Sequence, residues 1–72
     1  MKISENYVTI VPAYGRDYKN KADATKDFLD GKDFQIQHFN YPQTYCSVRD
    51  FEKGTKVEVR FKKLQSVVIV TT

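Results

Sequence analysis

Cations and tyrosines are concentrated in two short stretches of this chain. Residues 14–19 read Tyr-Gly-Arg-Asp-Tyr-Lys, and residues 56–63 read Lys-Val-Glu-Val-Arg-Phe-Lys-Lys. Positive side chains that follow a phosphate backbone, beside aromatic rings on which bases stack, are the ingredients of sequence-tolerant binding to single-stranded nucleic acid. The sequence therefore predicts a nucleic-acid contact surface. Its predicted members are Tyr14, Arg16, Tyr18, Lys19, Lys56, Arg60, Lys62 and Lys63.

A purely structural explanation of the same residues stays open. Lysine and arginine on an outer strand keep a sheet soluble and prevent it from pairing with other sheets, and loop tyrosines often cap a small core. Asp17 lies between the two cations of the loop, so an Arg16–Asp17 ion pair would tether the loop locally. Composition alone does not decide between a binding loop and a structural loop.

His38 and Cys46 are the single histidine and the single cysteine of the chain. A thiolate next to an imidazole can form a nucleophile with its base, but a free cysteine more often behaves as a small buried hydrophobe. His38 shares one side of an alternating segment with Phe34 and Ile36, which favours a partly buried histidine. A structural zinc site normally needs four such ligands, and the chain offers two. We therefore expect neither enzymatic activity nor a metal.

Three aspartates, Asp23, Asp27 and Asp30, fall on one face of a helical segment together with Lys26. They would bind a divalent cation only with further oxygen ligands, so a solvated helix face is the expected arrangement. The three glycines are isolated from each other and form no phosphate-binding motif. We therefore expect no nucleotide or other cofactor.

Hydrophobic periodicity predicts the elements that must position these residues. An amphipathic helix is predicted at about residues 21–30, with Asn20 as its N-cap and Gly31 just past its end. Strands are predicted at residues 7–11, 33–39, 56–62 and 66–71. The predicted fold class is α+β: a single domain over residues 1–72, with a four-stranded, mostly antiparallel sheet and one helix on one face, in the order β-α-β-turn-β-β.

The last predicted strand differs from the others because it is apolar on both faces, with the run Val67-Val68-Ile69-Val70. Such a strand is usually central or covered on both sides, and at an edge it invites pairing with another chain. This pattern supports an alternative function, a protein-interaction module. The chain would then be an inhibitor of a host protein, or a homodimer through its C-terminal strand.

The 72-residue chain has 12 Lys and Arg against 9 Asp and Glu, which gives a formal net charge of +3. This modest excess favours encounters with polyanions without specifying them. A single cysteine excludes an intramolecular disulfide and favours a reducing compartment. The first residues carry no secretory signal, and no stretch approaches the roughly 20 apolar residues of a membrane span. We therefore expect a cytoplasmic protein without a membrane partner.

The stretches PAYGRDY and KDF and the pattern RF-x-x-L-x-x-V resemble small, uncharacterised proteins of bacteriophages and mobile elements. The resemblance covers most of the chain. It implies a cytoplasmic setting in a host cell and a non-enzymatic accessory role, and it brings no activity and no functional residues with it.

Overall fold

The computed structural model describes residues 2–71, which form one helix and a mixed five-stranded sheet. The elements are β1 (Tyr7–Pro12), α1 (Lys21–Leu29), β2 (Phe34–Ile36), β3 (Tyr45–Cys46), a 3₁₀ turn (Val48–Asp50), β4 (Lys56–Phe61) and β5 (Leu64–Ile69). The strand order across the sheet is β3-β2-β1-β4-β5. No helix within these residues is long and apolar enough to cross a membrane.

The α+β class is confirmed, but the predicted four-stranded sheet is corrected to five strands. The additional strand, β3, is only two residues long, which is too short to produce an alternating pattern in the sequence. The central pairing also differs from the expectation, because β1 and β4 run parallel while the other pairs are antiparallel. Local periodicity carries no information on strand order, so it could not predict this parallel pair.

Helix α1 begins and ends where its capping residues predict. The side-chain oxygen of Asn20 accepts a hydrogen bond from the backbone N–H of Asp23 at 2.9 Å, which satisfies one of the free donors of the first turn. Gly31 follows the helix with φ of 95°, a conformation that glycine adopts at little cost. The helix buries Ala24 and Phe28 against the sheet.

The hydrophobic core lies on the face of the sheet that α1 covers. Burying apolar side chains there is the main source of stability in so small a domain. Its fully or almost fully buried members include Ile3, Val8, Ile10, Phe28, Phe34, Ile36, Phe51, Val57 and Val59. Helix α1 lies nearest to β5, where the hydroxyl oxygens of Thr25 and Ser66 are 3.1 Å apart.

The opposite face of the sheet, the open face, carries a mixture of tyrosines, glutamines, aliphatic residues and charges. Paired residues on neighbouring strands point to the same side, so the register defines its rows. One row holds Tyr45, Gln35 and Val11, a second holds Thr9, Glu58 and Val67, and a third holds Tyr7, Lys56 and Ile69.

Strand β5 lies at the edge of the sheet, which is one of the two positions that its apolar sequence left open. Its side chains alternate between partly buried and exposed, and Val67 and Ile69 each keep 54% of their surface exposed. The two-residue turn Lys62-Lys63 connects it to β4, with Lys62 at φ of 53°.

Candidate nucleic-acid interface

The loop after β1 opens with a tight turn that presents Tyr14 to solvent. The N–H of Arg16 donates to the carbonyl of Ala13 at 3.2 Å, and the two residues between them have φ of 61° and 71°. Positive φ at both central positions defines a type I′ turn, and a bulky residue there is an outlier. The Tyr14 ring is nonetheless 69% exposed.

Two contacts hold the Tyr14 side chain in place. Its ring stacks on that of Tyr45 with centroids 5.3 Å apart and planes inclined by 12°, and its hydroxyl donates to the Asp33 carboxylate at 3.3 Å. Because Tyr45 is also half-exposed, the pair forms an aromatic step at the β3 edge of the open face. A flat exposed ring held in one orientation is a suitable stacking platform for a base.

Arg16 is held over the core rather than extended into solvent. Its guanidinium lies 4.8 Å from the centre of the Phe34 ring, and it donates to the backbone carbonyl of Asp33. Neither partner carries a negative charge, so these contacts leave the positive charge of Arg16 uncompensated.

The tether of the loop is formed by Asp17 and Lys62, not by the Arg16–Asp17 pair that the sequence suggested. The Asp17 carboxylate lies 2.9 Å from the Lys62 ammonium, and both side chains are mostly exposed. The hydrogen bond from Lys62, together with one from the N–H of Tyr18, holds the pKa of Asp17 below its usual value. The pair joins the loop to the turn between β4 and β5, and because both charges are exposed, water and salt screen their attraction strongly.

Tyr18 belongs to the core and leaves the predicted binding set. Only 8% of its surface is exposed, and its ring packs against those of Phe34 and Phe61, with centroids 6.1 and 5.8 Å away. Its hydroxyl donates to the Asp27 carboxylate at 2.9 Å. Burial and this hydrogen bond raise the pKa of Tyr18. A buried ring cannot stack on a base.

Strand β4 supplies Lys56 and Arg60 to the open face, as its alternation predicts, but Glu58 between them is buried. The Glu58 carboxylate accepts a hydrogen bond from the Tyr7 hydroxyl at 2.6 Å and pairs with the Arg60 guanidinium at 3.0 Å. The pKa of the Glu58 carboxyl is lowered, mainly by the hydrogen bond from Tyr7 and further by Arg60. Glu58 is therefore a carboxylate that compensates Arg60.

A groove of about 310 Å³ lies where the loop, the β4–β5 turn and the open face meet. Arg16, Arg60 and Lys62 border it, and Asp17 lies among them. Val11 and Gln37 line it on the open face. Val11 pairs with Gln35, which in turn pairs with Tyr45, so the aromatic step lies two strands, or about 10 Å, from Val11.

The structure thus brings together part of the predicted set. Tyr14, Arg16, Arg60 and Lys62 lie around the groove and the aromatic step, and the exposed Lys63 follows Lys62 in the turn. Lys56 is exposed on the same face at the other end of β4. Lys19 is exposed just before the helix cap and does not line the groove.

Tyr45 and Gln37 are candidate contacts that the sequence did not single out. Tyr45 occupies a two-residue strand, which is too short to show an alternating pattern in the sequence. Gln37 follows β2 and is exposed, and its N–H donates to the Thr9 carbonyl at 2.8 Å. The alternation of residues 33–39 could have placed Gln37 opposite the core side.

The side chains of His38 and Cys46 lie in different surroundings. Burial, followed by the charges of Asp50 and Asp33, raises the pKa of the Cys46 thiol to about 12, so it is protonated and a poor nucleophile at neutral pH. The Nδ1 of His38 accepts from the N–H of Asn40, and its Nε2 lies 3.6 Å from the Glu5 carboxylate. Among residues 2–71, no three His, Cys, Asp or Glu side chains are grouped to hold a metal ion.

Comparison with protein-family models, with curated proteins and with solved structures gave no match for this chain. The functional assignment therefore rests on its own residues.

Proposed function

We propose that the chain is a small non-enzymatic binding protein that holds single-stranded nucleic acid across its open face. The observation that carries the proposal is the exposed Tyr14–Tyr45 stack beside a groove bordered by Arg16, Arg60 and Lys62. The aromatic step offers a surface for stacking one base, and the cations lie where the adjoining backbone phosphates would pass.

The charges around the groove favour a weak, salt-sensitive contact. Arg16 contacts a ring and a carbonyl rather than a carboxylate, so a phosphate would not have to displace a negative partner from it. Lys62 is partly compensated by Asp17, but that pair is exposed, and a phosphate can replace the carboxylate. Arg60 is shared with Glu58. A contact of this kind tolerates many sequences, since no base edge is specified.

Fluorescence anisotropy with a labelled oligothymidylate tests the proposal on nuclease-treated protein at low salt. We expect binding that weakens as salt rises, with a slope of log K against log [salt] near −2 if three phosphates are contacted, at about −0.7 for each contact. Tyr14→Ala should weaken binding by about 1–3 kcal/mol, the usual range for one stacked base. The matched control is Phe39→Ala, which removes an aromatic side chain that is 86% exposed and does not line the groove.

A change at Asp17 of the Asp17–Lys62 pair should strengthen binding rather than weaken it. Asp17→Asn removes a negative charge beside the groove and releases Lys62, so it should tighten binding about two- to fivefold at low salt, in line with the modest strength of an exposed pair. Lys62→Ala should weaken binding. The control is Lys53→Ala, which should leave binding unchanged because Lys53 precedes β4 at the end away from the groove. Absence of binding at low salt, or equal effects of the groove and control variants, would contradict the proposal.

A further inference from the structure

The outer edge of β5 lacks the features that normally protect an edge strand. Natural edges carry inward-pointing charges, prolines or bulges that stop another strand from adding to them. The segment from Leu64 to Val70 contains no charged residue and no proline. Of its side chains, Val67 and Ile69 are half-exposed on the open face. This edge is therefore available for a further strand.

A second surface adjoins the same edge on the helix side of the sheet. A groove of about 500 Å³ runs between Ser66 of β5 and the outward face of α1. The helix and its C-cap residue Asp30 line the groove, and the helical residues that do so are Lys21, Ala22, Thr25, Lys26 and Leu29. Leu29 is half-exposed. An incoming strand would thus meet both an open edge and a helix face.

We propose that a second copy of this chain docks here, with β5 pairing antiparallel to β5 about a twofold axis near Val67. Val67 then faces its own copy, and Gln65 faces Ile69 of the second copy. Lys63 faces Thr71, so the cations of the two turns lie at opposite ends of the new pair. A segment without charges can face itself in this way with no like charges opposed.

The helix face is self-complementary about the same axis. A twofold operation sets two copies of α1 antiparallel, and an axis between Thr25 and Lys26 places Lys21 opposite Asp30 and Ala22 opposite Leu29 of the second copy. The first pair joins opposite charges, and the second joins a small residue to a large one. The contact between Thr25 and Ser66, at 3.1 Å, puts the helix centre and the strand centre within one residue of each other. One axis therefore serves both elements, as an isologous interface requires.

The distances are compatible with simultaneous contact. Paired strands lie about 4.8 Å apart, and packed helices lie about 8–10 Å apart. Both contacts can form together if each helix axis lies about 2 Å or slightly more inward of its own β5, because the helices are then about 9 Å apart. Helix α1 lies inward of the edge, since Thr25 contacts Ser66 of β5 while Phe28 packs on Phe34 of β2. The product is a continuous sheet of ten strands, twice the five of one copy.

Charge reversal with sedimentation analysis tests this interface on nucleic-acid-free protein. The wild type should show a concentration-dependent monomer–dimer equilibrium. Lys21→Asp and Asp30→Lys should each weaken self-association about tenfold or more, because each opposes like charges twice in a symmetric dimer. Both changes suit the helix dipole, so each variant should keep the wild-type circular dichroism spectrum.

Mixing the two variants gives the decisive result. In a heterodimer of the Lys21→Asp variant with the Asp30→Lys variant, opposite charges face each other in both pairs. The mixture should therefore form a dimer, although neither variant dimerises well with itself. Val67→Lys should abolish the dimer in every combination, and Lys53→Asp, outside both surfaces, should leave it intact. A monomer at millimolar concentration, or a dimer indifferent to the charge reversals, would overturn the inference.

Discussion

Glu58 illustrates at the residue scale how the open face holds a charge at its centre. Only 5% of its surface is exposed, and its carboxylate accepts hydrogen bonds from Tyr7, Thr9 and Arg60. A buried carboxylate without such donors would be strongly destabilising. The donors stabilise the ionised form, which is why the pKa of Glu58 is lowered.

Replacing Glu58 should therefore change both stability and its dependence on pH. Glu58→Gln should lower the free energy of unfolding at pH 7 by about 1–3 kcal/mol, the range for hydrogen bonds to a charged group. Because the folded pKa is lowered, the charge stabilises the fold above the unfolded pKa of about 4.3, and this contribution is lost as the pH falls through the folded value. Urea titrations at several pH values should show the two proteins converging in acid. A difference that grows on acidification would contradict this prediction.

The Cys46 thiol should be unreactive in the folded protein. It is buried, and its pKa is raised to about 12, whereas thiol reagents attack the exposed thiolate. We expect a chromogenic disulfide reagent to modify native protein only slowly, at a rate set by opening of the structure. The reaction should become rapid in concentrated urea. Complete modification of folded protein within seconds would contradict this prediction.

At the element scale, local hydrogen bonds decide where α1 begins. The Asn20 side chain caps the first turn, and Asp23 places a negative charge near the positive end of the helix. A nine-residue helix is too short to be stable alone, so it depends on this cap and on the burial of Phe28 and Ala24.

Removal of the cap should therefore be measurable. Asn20→Ala should destabilise the protein by about 0.5–2 kcal/mol, because it leaves a backbone N–H of the first turn without its partner. Asn20→Ser retains a capping oxygen and should cost a few tenths of a kcal/mol or less. Thermal or urea unfolding followed by circular dichroism distinguishes the two. Equal stability of the two variants would show that the cap does not contribute.

Capping residues and alternating patterns predict much of the fold, but they do not predict contacts between residues that are far apart in the sequence. The Asn20 cap, the inward side of β4 and the exposed lysines of its turn all follow from short-range patterns. The burial of Glu58 does not, because its closest partner, Tyr7, is 51 positions away in the chain. Strand order also depends on contacts between distant residues, so local patterns left the position of β5 open and did not predict the parallel pair.

The candidate site, too, could be predicted only in part from the sequence. The alternating pattern placed Lys56 and Arg60 on the open face. It could not separate Tyr14 from Tyr18, which are four positions apart in one loop: one is exposed and the other packs on Phe34. Their difference depends on the turn at Gly15 and on the tertiary partner Asp27.

At the scale of the whole molecule, stability depends on a small core that spans the central strands. A chain of this size has a total free energy of unfolding of only about 4–11 kcal/mol. Ile10, in central β1, is fully buried, whereas Ile69, in edge strand β5, is half-exposed. The same truncation at these two sites therefore probes core and edge separately.

The two truncations should differ widely in cost. Ile10→Ala should destabilise the protein by about 2–5 kcal/mol, which is a large part of the total. Ile69→Ala should cost less than about 1 kcal/mol when measured at low protein concentration, since much of its side chain is already in water. Urea midpoints provide the comparison. Comparable losses at both sites would contradict the description of β5 as an exposed edge.

The parallel pairing of β1 with β4 joins residues 49 positions apart, as between Thr9 and Glu58. On a translating ribosome, the first strand therefore emerges long before the partner on its inner side has been synthesised. Elongation at about 5–20 residues per second leaves β1 unmatched on that side for seconds. The sheet can close only after β4 has also left the exit tunnel, so the inner side of β1 waits for residues almost fifty positions further along the chain.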